Sequence, residues 1–320
     1  MTLVVAVVGP TATGKSDLGI ALAQALDGEV VNTDAMQLYR GMDIGTAKVP
    51  VAERHGVPHH LLDVLDPHED ATVADYQERA RAALDDVAAR GRRAVAVGGS
   101  GLYVRALLDH MDFPGTDPEL RARLEQRVED EGSRALHAEL AAVDPVAAEG
   151  IGPRNARRVV RALEVIALTG RPYSSSLPQH VYEVPAVQIG LDCDRPTLDA
   201  RVEGRVDRMW SHGLVEEVAG LVAQGPGLGR TASRAVGYAE VLAMLRGELT
   251  PDEARASTAA GTRRLARKQM GWFGRDPRVH WLDAQDPDLV ARALDLVARA
   301  DAGTLGPATV DPAPRRSLGS

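Results

Sequence analysis

The feature that most constrains this chain is a short glycine-containing segment close to its start. GPTATGKS, residues 9–16, matches the pattern G-x-x-x-x-G-K-S in full. It follows an apolar run at residues 3–8 and precedes a helix-like segment at residues 17–26. A loop of this composition between a strand and a helix turns its backbone amides towards an anion, and the helix adds its positive dipole end. The sequence therefore predicts a binding site for a diphosphate or triphosphate.

Several positions of this loop have a chemical reason to contact phosphate. Gly14 lets the backbone curl, Lys15 supplies a point charge, and Ser16 offers a hydroxyl suited to Mg²⁺. Thr11 lies inside the loop and can donate a hydrogen bond to a diphosphate. We therefore expect the whole loop to bind diphosphate and Mg²⁺ to lie beside Ser16. The loop consists of Gly9, Pro10, Thr11, Ala12, Thr13, Gly14, Lys15 and Ser16.

Strand-like and helix-like segments alternate after this loop. Residues 29–32, 93–97 and 186–192 read as strands, and residues 73–89 read as a helix. Because this order is typical of stacked βα units, we predict an α/β fold: a P-loop NTPase-like parallel sheet flanked by helices. Strand signals disappear between residues 112 and 184, where helical periodicity takes over, and this predicts an all-helical insertion.

These patterns divide the chain into three predicted parts. Residues 1–111 and 186–285 form a catalytic core, and residues 112–185 form a helical insertion domain that contacts RNA. Residues 286–320 end in GPATVDPAPRRSLGS, whose proline, glycine and small residues predict a loose C-terminal tail.

Composition limits the setting in which the chain works. It has one cysteine, Cys193, which fits a reducing compartment. No apolar run is long enough for a signal peptide or a membrane span, so we expect a cytoplasmic protein with no membrane partner.

The net charge of −8 argues against nucleic-acid binding, but the basic residues are clustered. Arg157, Arg158 and Arg161 share one helix-like segment, and Arg264 and Lys268 lie four residues apart in another. Each cluster alone is more often a solvated helix face. Two of them beside a phosphate loop favour contact with RNA phosphates.

The phosphate loop alone leaves the reaction open. Most proteins with this loop transfer or hydrolyse a nucleotide phosphate, and they place an acid at the end of a later strand. Here the strand at residues 93–97 runs into GGSGLY without an acid. This absence favours a ligand other than ATP.

Several longer segments together resemble one family, the tRNA dimethylallyltransferases. The resemblance covers roughly residues 3–285. It rests on GPTATGKS (9–16), VNTDAMQLYRGMDIGTAK (31–48), HHLLDVLDP (59–67), VGGSGLYVRALL (97–108), RRVVRALEVIALTGRP (157–172), SRAVGYAEVL (233–242) and TRRLARKQMGWF (262–273). It implies transfer of a dimethylallyl group from dimethylallyl diphosphate to the exocyclic amine of the adenosine 3′ to the anticodon, with help from Mg²⁺.

The resemblance also implies roles for individual residues. Asp34 follows the second strand, in the crevice where open parallel sheets bind ligands, and matches the family's proton acceptor. Arg205 matches an arginine that joins Thr11 and Lys15 on the diphosphate, although Arg201 and Arg208 are close in register. The implied tRNA contacts are Asp34, Ala35, Met36, Gln37, Ser100, Arg121, Arg157, Arg158, Arg161, Arg234, Arg264, Arg267 and Lys268.

Three other functions stay open at this point. A small-molecule kinase would share the phosphate loop, and an adenine-nucleotide prenyltransferase would share the chemistry without needing the basic clusters. An RNA-binding module without activity is disfavoured by intact Lys15, Ser16 and Asp34. The expected partners are dimethylallyl diphosphate and the anticodon stem-loop of tRNA, bound by a monomer.

Overall fold

A computed structural model describes residues 2–111, 113–176 and 180–308. The chain forms two compact units. The core unit comprises Met1–Asp109 and Tyr182–Ser320, and the helical unit comprises His110–Val181.

Six strands of the core unit form one sheet in the order β3-β2-β4-β1-β5-β6, and every neighbouring pair is parallel. This confirms the predicted parallel sheet flanked by helices. The edge strands β3 and β6 were not predicted from the sequence. The strands are β1 (Val4–Val8), β2 (Gly28–Asn32), β3 (His59–His60), β4 (Arg93–Val97), β5 (Ala186–Asp192) and β6 (Val279–Asp283).

The helices of the described ranges include four in the helical unit, α4 to α7. The other eight belong to the core unit. In chain order they are α1 (Lys15–Ala25), α2 (Val73–Ala89), α3 (Gly101–Leu108), α4 (Pro118–Glu131), α5 (Ser133–Val143), α6 (Pro145–Ile151), α7 (Ala156–Thr169), α8 (Arg195–Ser211), α9 (Leu214–Ala223), α10 (Tyr238–Leu245), α11 (Pro251–Phe273) and α12 (Leu289–Asp301).

Burial explains why the central strands are apolar along their whole length. All five residues of β1 are buried, and Val5 lies opposite Val95 of β4 and Val187 of β5. Helices cover both faces of such a sheet, so neither face of the strand needs polar side chains. Because the strands are parallel, the segments that follow β1, β2, β4 and β5 all begin on the same side of the sheet, at the carboxyl ends of the strands.

The prediction of a loose C-terminal tail is wrong for one segment. Residues 289–301 form α12, whose Ala293 and Val297 are buried in the core cluster around β1. These two residues are four apart and therefore share one helix face. Proline and glycine beyond residue 305 obscured this apolar periodicity. The last twelve residues of that prediction, 309–320, lie outside the described residues.

The helical unit has an apolar core of its own, to which α4, α5, α6 and α7 contribute. Three of its four helices begin at side-chain caps: Asp117 caps α4, Asp144 caps α6 and Asn155 caps α7. Pro118 and Pro145 occupy first turns, where a missing N–H costs nothing. These local signals explain why the helices could be recognised from the sequence.

The two points where the chain leaves and re-enters the core unit are adjacent. Asp109 and Tyr182 form an isolated antiparallel bridge. Arg278 contacts both carboxylate oxygens of Asp109, at 2.6 and 3.0 Å, and both oxygens of Asp276, at 2.9 and 2.7 Å. The guanidinium carbon of Arg278 also lies 4.1 Å from the ring centroid of Tyr182. We call these four residues the crossover clasp.

Candidate active site

The phosphate loop connects β1 to α1 in a conformation that requires glycine at its two ends. Gly9 has φ +127° and Gly14 has φ +89°. A Cβ on Gly9 would lie 2.6 Å from the carbonyl oxygen of Leu191 in β5, so no larger residue fits. Between them, the Thr13 hydroxyl donates a hydrogen bond of 2.8 Å to the Pro10 carbonyl. The loop is therefore fixed before any ligand binds.

Lys15 forms no ion pair with an acidic side chain within the described residues. Its Nζ donates a hydrogen bond of 2.5 Å to the Pro10 carbonyl, and this carbonyl is a neutral acceptor. Burial and the nearby Arg205 guanidinium lower the pKa of Lys15 to about 7, although Asp34 opposes this shift. A diphosphate in the loop would supply the missing negative charge.

Arg205, in the middle of α8, shows the same lack of a partner. Its Nη2 donates only weakly to the Thr46 carbonyl, at 3.4 Å, and its buried Nε has no hydrogen-bond partner among the described residues. Burial lowers the pKa of Arg205. Two cavities adjoin the phosphate loop: a large one of about 840 Å³, which we call the outer cleft, and one of about 70 Å³, which we call the inner cavity. Arg201, Arg205 and Arg208 all line the outer cleft, but of these three only Arg205 also lines the inner cavity. Position therefore favours Arg205 as the diphosphate-binding arginine.

Asp34 lies two residues beyond the end of β2, at the same sheet edge as the phosphate loop. Its Oδ1 accepts a hydrogen bond of 2.9 Å from the Met36 amide, and its own amide donates 2.9 Å to the Asn32 side chain. Capping the short turn at Ala35–Leu38 thus occupies one carboxylate oxygen. Asp34 lines the inner cavity together with Thr11, Lys15, Ser16 and Arg205.

Gln37 and Ser100 are placed beside Asp34. The side-chain amide of Gln37 donates to the carbonyls of Thr46 and Ala47, at 3.1 and 3.4 Å, and the residue lines the inner cavity. The Ser100 hydroxyl accepts a hydrogen bond of 3.1 Å from the Ala35 amide. Both side chains therefore support the segment around Asp34. Met36, by contrast, packs against an apolar cluster.

One residue of this site was missed by the sequence analysis. Gln269 of α11 is buried, accepts a hydrogen bond from the Thr11 amide at 2.8 Å and donates to the Gly99 carbonyl at 3.1 Å. It therefore ties the phosphate loop to the segment after β4. The available signal was weak: Gln269 is a polar residue in register with the buried Ala266 and Phe273.

Two arginines predicted to contact tRNA are engaged within the helical unit. Arg121 and Arg161 both pair with Glu164, at 2.5 and 2.8 Å, and the Glu164 side chain is fully buried. Burial alone would raise the pKa of Glu164, but hydrogen bonds from both arginines lower it. Arg161 also donates to the Pro114 and Gly115 carbonyls, at 2.7 and 3.1 Å. Losing either guanidinium would leave this buried carboxylate with one cationic partner instead of two.

The remaining basic residues among the predicted RNA contacts are exposed and lack acidic partners within the described residues. None of them forms an ion pair within the described residues. Arg263, their neighbour on α11, differs because it pairs with Glu203 at 3.2 Å. The exposed cations are Arg157 and Arg158 on α7, Arg234 before α10, and Arg264, Arg267 and Lys268 on α11.

Ser16 is the last residue of the phosphate loop. Its hydroxyl makes no hydrogen bond within the described ranges, and it lines both the outer cleft and the inner cavity. The described residues contain no group of three or more histidine, cysteine or carboxylate side chains placed to hold a metal ion. The described part of the chain also holds no helix that is both long and apolar enough to cross a membrane.

Known proteins match almost the whole chain. The model of the IPP transferase family matches residues 37–276. A tRNA dimethylallyltransferase of Thermobifida fusca is 59% identical over 302 residues, which are 93% of this chain and 95% of that protein. One of Streptomyces avermitilis is 61% identical over 299 residues, 92% of this chain and 96% of that protein.

Solved structures agree with these relatives. The tRNA isopentenylpyrophosphate transferase of Bacillus halodurans is 40% identical, with a TM-score of 0.69 and coverage of 95% of this chain and 97% of its own. A eukaryotic dimethylallyltransferase studied in crystals acting on tRNA is 26% identical, with a TM-score of 0.81 and coverage of 95% and 80%. The chain therefore belongs to the tRNA dimethylallyltransferase family.

Proposed function

We propose that this chain transfers a dimethylallyl group from dimethylallyl diphosphate to the exocyclic amine of the adenosine 3′ to the anticodon in tRNA. The observation that carries this proposal is the inner cavity. The carboxylate of Asp34 lines this cavity together with Thr11, Lys15 and Arg205. A proton acceptor thus shares one cavity with two cations whose hydrogen bonds go to neutral carbonyls.

The reaction needs one bond to form and one to break. The exocyclic nitrogen attacks carbon one of the donor, and the electron pair of the C1–O bond leaves with the diphosphate. Because the amine lone pair is delocalised into the ring, the nitrogen is a poor nucleophile until Asp34 accepts its proton. Lys15, Arg205 and the Thr11 hydroxyl stabilise the leaving diphosphate, which needs charge neutralisation more than protonation.

The donor set around Ser16 fits Mg²⁺. This ion keeps several waters and binds through few protein ligands together with substrate phosphates, so one hydroxyl beside the phosphate loop suffices. We propose that the Ser16 hydroxyl and the diphosphate oxygens hold Mg²⁺, which supplies positive charge to the leaving group when bound.

We propose that the anticodon stem-loop binds along the exposed cations described above. Arg157 and Arg158 on α7 and Arg264 on α11 are free to contact phosphates, and the target adenine must leave its stack to reach Asp34. Arg121 and Arg161 keep exposed side-chain fractions of 38% and 27%, so we include them as contacts that remain paired with Glu164. The remaining proposed contacts are Asp34, Ala35, Met36, Gln37, Ser100, Arg234, Arg267 and Lys268.

We further propose that the protein acts as a monomer in the cytoplasm. The exposed cations proposed to contact RNA all belong to one chain, so these contacts do not require a second copy. Light scattering with and without tRNA tests this, and a stable dimer in the complex would contradict it.

The test of the function is direct. The protein is incubated with Mg²⁺, labelled dimethylallyl diphosphate and, in separate reactions, tRNA, AMP or ATP. We expect label in tRNA alone, and digestion to nucleosides should place it on one adenosine. Label in AMP or ATP would support a nucleotide prenyltransferase instead, and no label in any acceptor would refute prenyl transfer.

A further inference from the structure

A carboxylate on α9 organises a loop next to the active site. The backbone N–H groups of Asp43, Ile44 and Gly45 all donate to Glu217, at 3.0, 2.7 and 3.3 Å. Successive amides that converge in this way form a concave anion-binding nest. The anion here is a side chain of the protein itself, so the conformation of residues 43–45 depends on Glu217.

Tyr238 of α10 completes the arrangement around this carboxylate. Its hydroxyl donates to Glu217 Oε1 at 2.5 Å, and burial together with the Glu217 charge raises the pKa of Tyr238 well above its usual value. The hydroxyl therefore stays protonated and remains a donor. The ring packs directly against the loop, because a Cβ on Gly45 would lie 2.3 Å from Tyr238 Cε2.

The residues that follow the nest turn their carbonyls towards active-site side chains. The Thr46 carbonyl accepts from Gln37 Nε2 at 3.1 Å and from Arg205 Nη2 at 3.4 Å. The Ala47 carbonyl accepts from Gln37 at 3.4 Å. The Thr46 hydroxyl closes the loop by donating 2.6 Å to the Met42 carbonyl. A shift of the loop would therefore move two site residues together.

We propose that Glu217 is a positioning residue for prenyl transfer. It holds the amides of residues 43–45 so that the carbonyls of residues 46 and 47 direct Arg205 towards the diphosphate and Gln37 towards the tRNA. Glu217 itself lines neither the outer cleft nor the inner cavity, so it acts through the loop. This inference rests on the proposed function, which supplies the roles of Arg205 and Gln37.

The first test replaces the carboxylate by an amide of the same size. Glu217→Gln turns one acceptor oxygen into a donor that faces other donors. We expect the single-turnover rate of label transfer to tRNA to fall by about 30-fold, since small displacements of positioning groups are costly. The matched control is Glu216→Gln, an exposed neighbour on the same helix, whose rate should stay within about twofold of wild type. Thermal melting shows whether each variant is folded.

A second readout separates positioning from general destabilisation. The same substitution is made in a background that already carries Arg205→Ala and Gln37→Ala. If Glu217 acts through those two side chains, replacing it in this background should lower the single-turnover rate by no more than about threefold. The reason is that the effects of substitutions at coupled residues do not add. An equal loss in both backgrounds would overturn the proposal.

Two further measurements keep the outcomes distinct. If Glu217→Gln does not fold, Tyr238→Phe removes a single donor to the same carboxylate and should lower the rate in the same direction, by about threefold. A wild-type rate in Tyr238→Phe would then overturn the inference. Wild-type protein that transfers no label at all refutes the proposed function, whereas normal transfer by both wild type and Glu217→Gln refutes the role of Glu217 alone.

Discussion

Lys15 should make donor binding depend on pH. Its pKa lies at about 7 because burial and Arg205 outweigh the attraction of Asp34. A diphosphate bound in the phosphate loop adds negative charge beside the ammonium group. We therefore expect the pKa of Lys15 to rise in the complex, back towards the 10.5 of an unperturbed lysine. Above a pH of about 7, binding must then take up a proton.

The size of the effect follows from the protonated fraction of the free protein. With a pKa of about 7, that fraction falls from about a quarter at pH 7.5 to about one hundredth at pH 9.0. The dissociation constant should therefore rise about 25-fold across this range. Phosphate groups with a second pKa of about 6 are already ionised there, so the ligand itself contributes little.

Isothermal titration calorimetry with dimethylallyl diphosphate, in the absence of tRNA, measures this dependence. Repeating the titration in buffers with different ionisation enthalpies gives the number of protons taken up on binding. We expect uptake of nearly one proton per bound donor at pH 8.5. Lys15→Arg keeps its charge throughout and should bind with a constant affinity, whereas Arg205→Gln should move the weakening to higher pH. A wild-type dissociation constant that is unchanged between pH 7.5 and 9.0 would refute the reasoning.

Substitutions at three other places test separate parts of the proposed function. Asp34→Ala should lower the single-turnover rate by roughly 10²-fold or more while donor and tRNA affinities stay within a few fold, and a rate near wild type would remove Asp34 from the role of base. Gln269→Leu should cost about 1–3 kcal/mol of unfolding free energy in urea titrations, because two buried backbone groups lose their partner, and it should weaken donor binding. Gln269→Glu keeps the acceptor for the Thr11 amide but sets a buried carboxylate oxygen against the Gly99 carbonyl, so it should not restore the lost stability. Replacing Arg157 and Arg158 by glutamine should weaken tRNA binding and flatten its salt dependence by a slope of roughly 0.7 to 0.9 per lost contact; a wild-type slope in filter-binding assays would leave these residues as a solvated helix face.

Local sequence signals predicted the elements that depend on local physics. The bounds of α2, β4 and β5 agree with the sequence prediction, because each begins or ends at a clear change of periodicity. Edge strands gave weaker signals. β3 has only two residues, and β6 is largely half-buried, so its residues mix polar and apolar types.

Contacts between distant residues could not be read from the sequence. Gln269 and Thr11 are 258 positions apart, and nothing near either residue indicates the hydrogen bond between them. The nest at Glu217 joins residues more than 170 positions apart. Charge patterning likewise could not separate Arg161, which neutralises a buried carboxylate, from the exposed Arg157 on the same helix.

The crossover clasp gives the helical unit an unusual topological freedom. Asp109 and Tyr182 are paired by an antiparallel β-bridge. The two ends of the inserted segment therefore lie no farther apart than two paired residues on neighbouring strands. A short turn could close that gap without stretching the chain, and Arg278 would still hold both ends. Insertions, deletions or whole replacements between these two positions therefore leave the covalent geometry of the sheet unchanged. In evolutionary terms, the helical unit, to which we assign RNA contacts, can be remodelled independently of the core unit, to which we assign the chemistry.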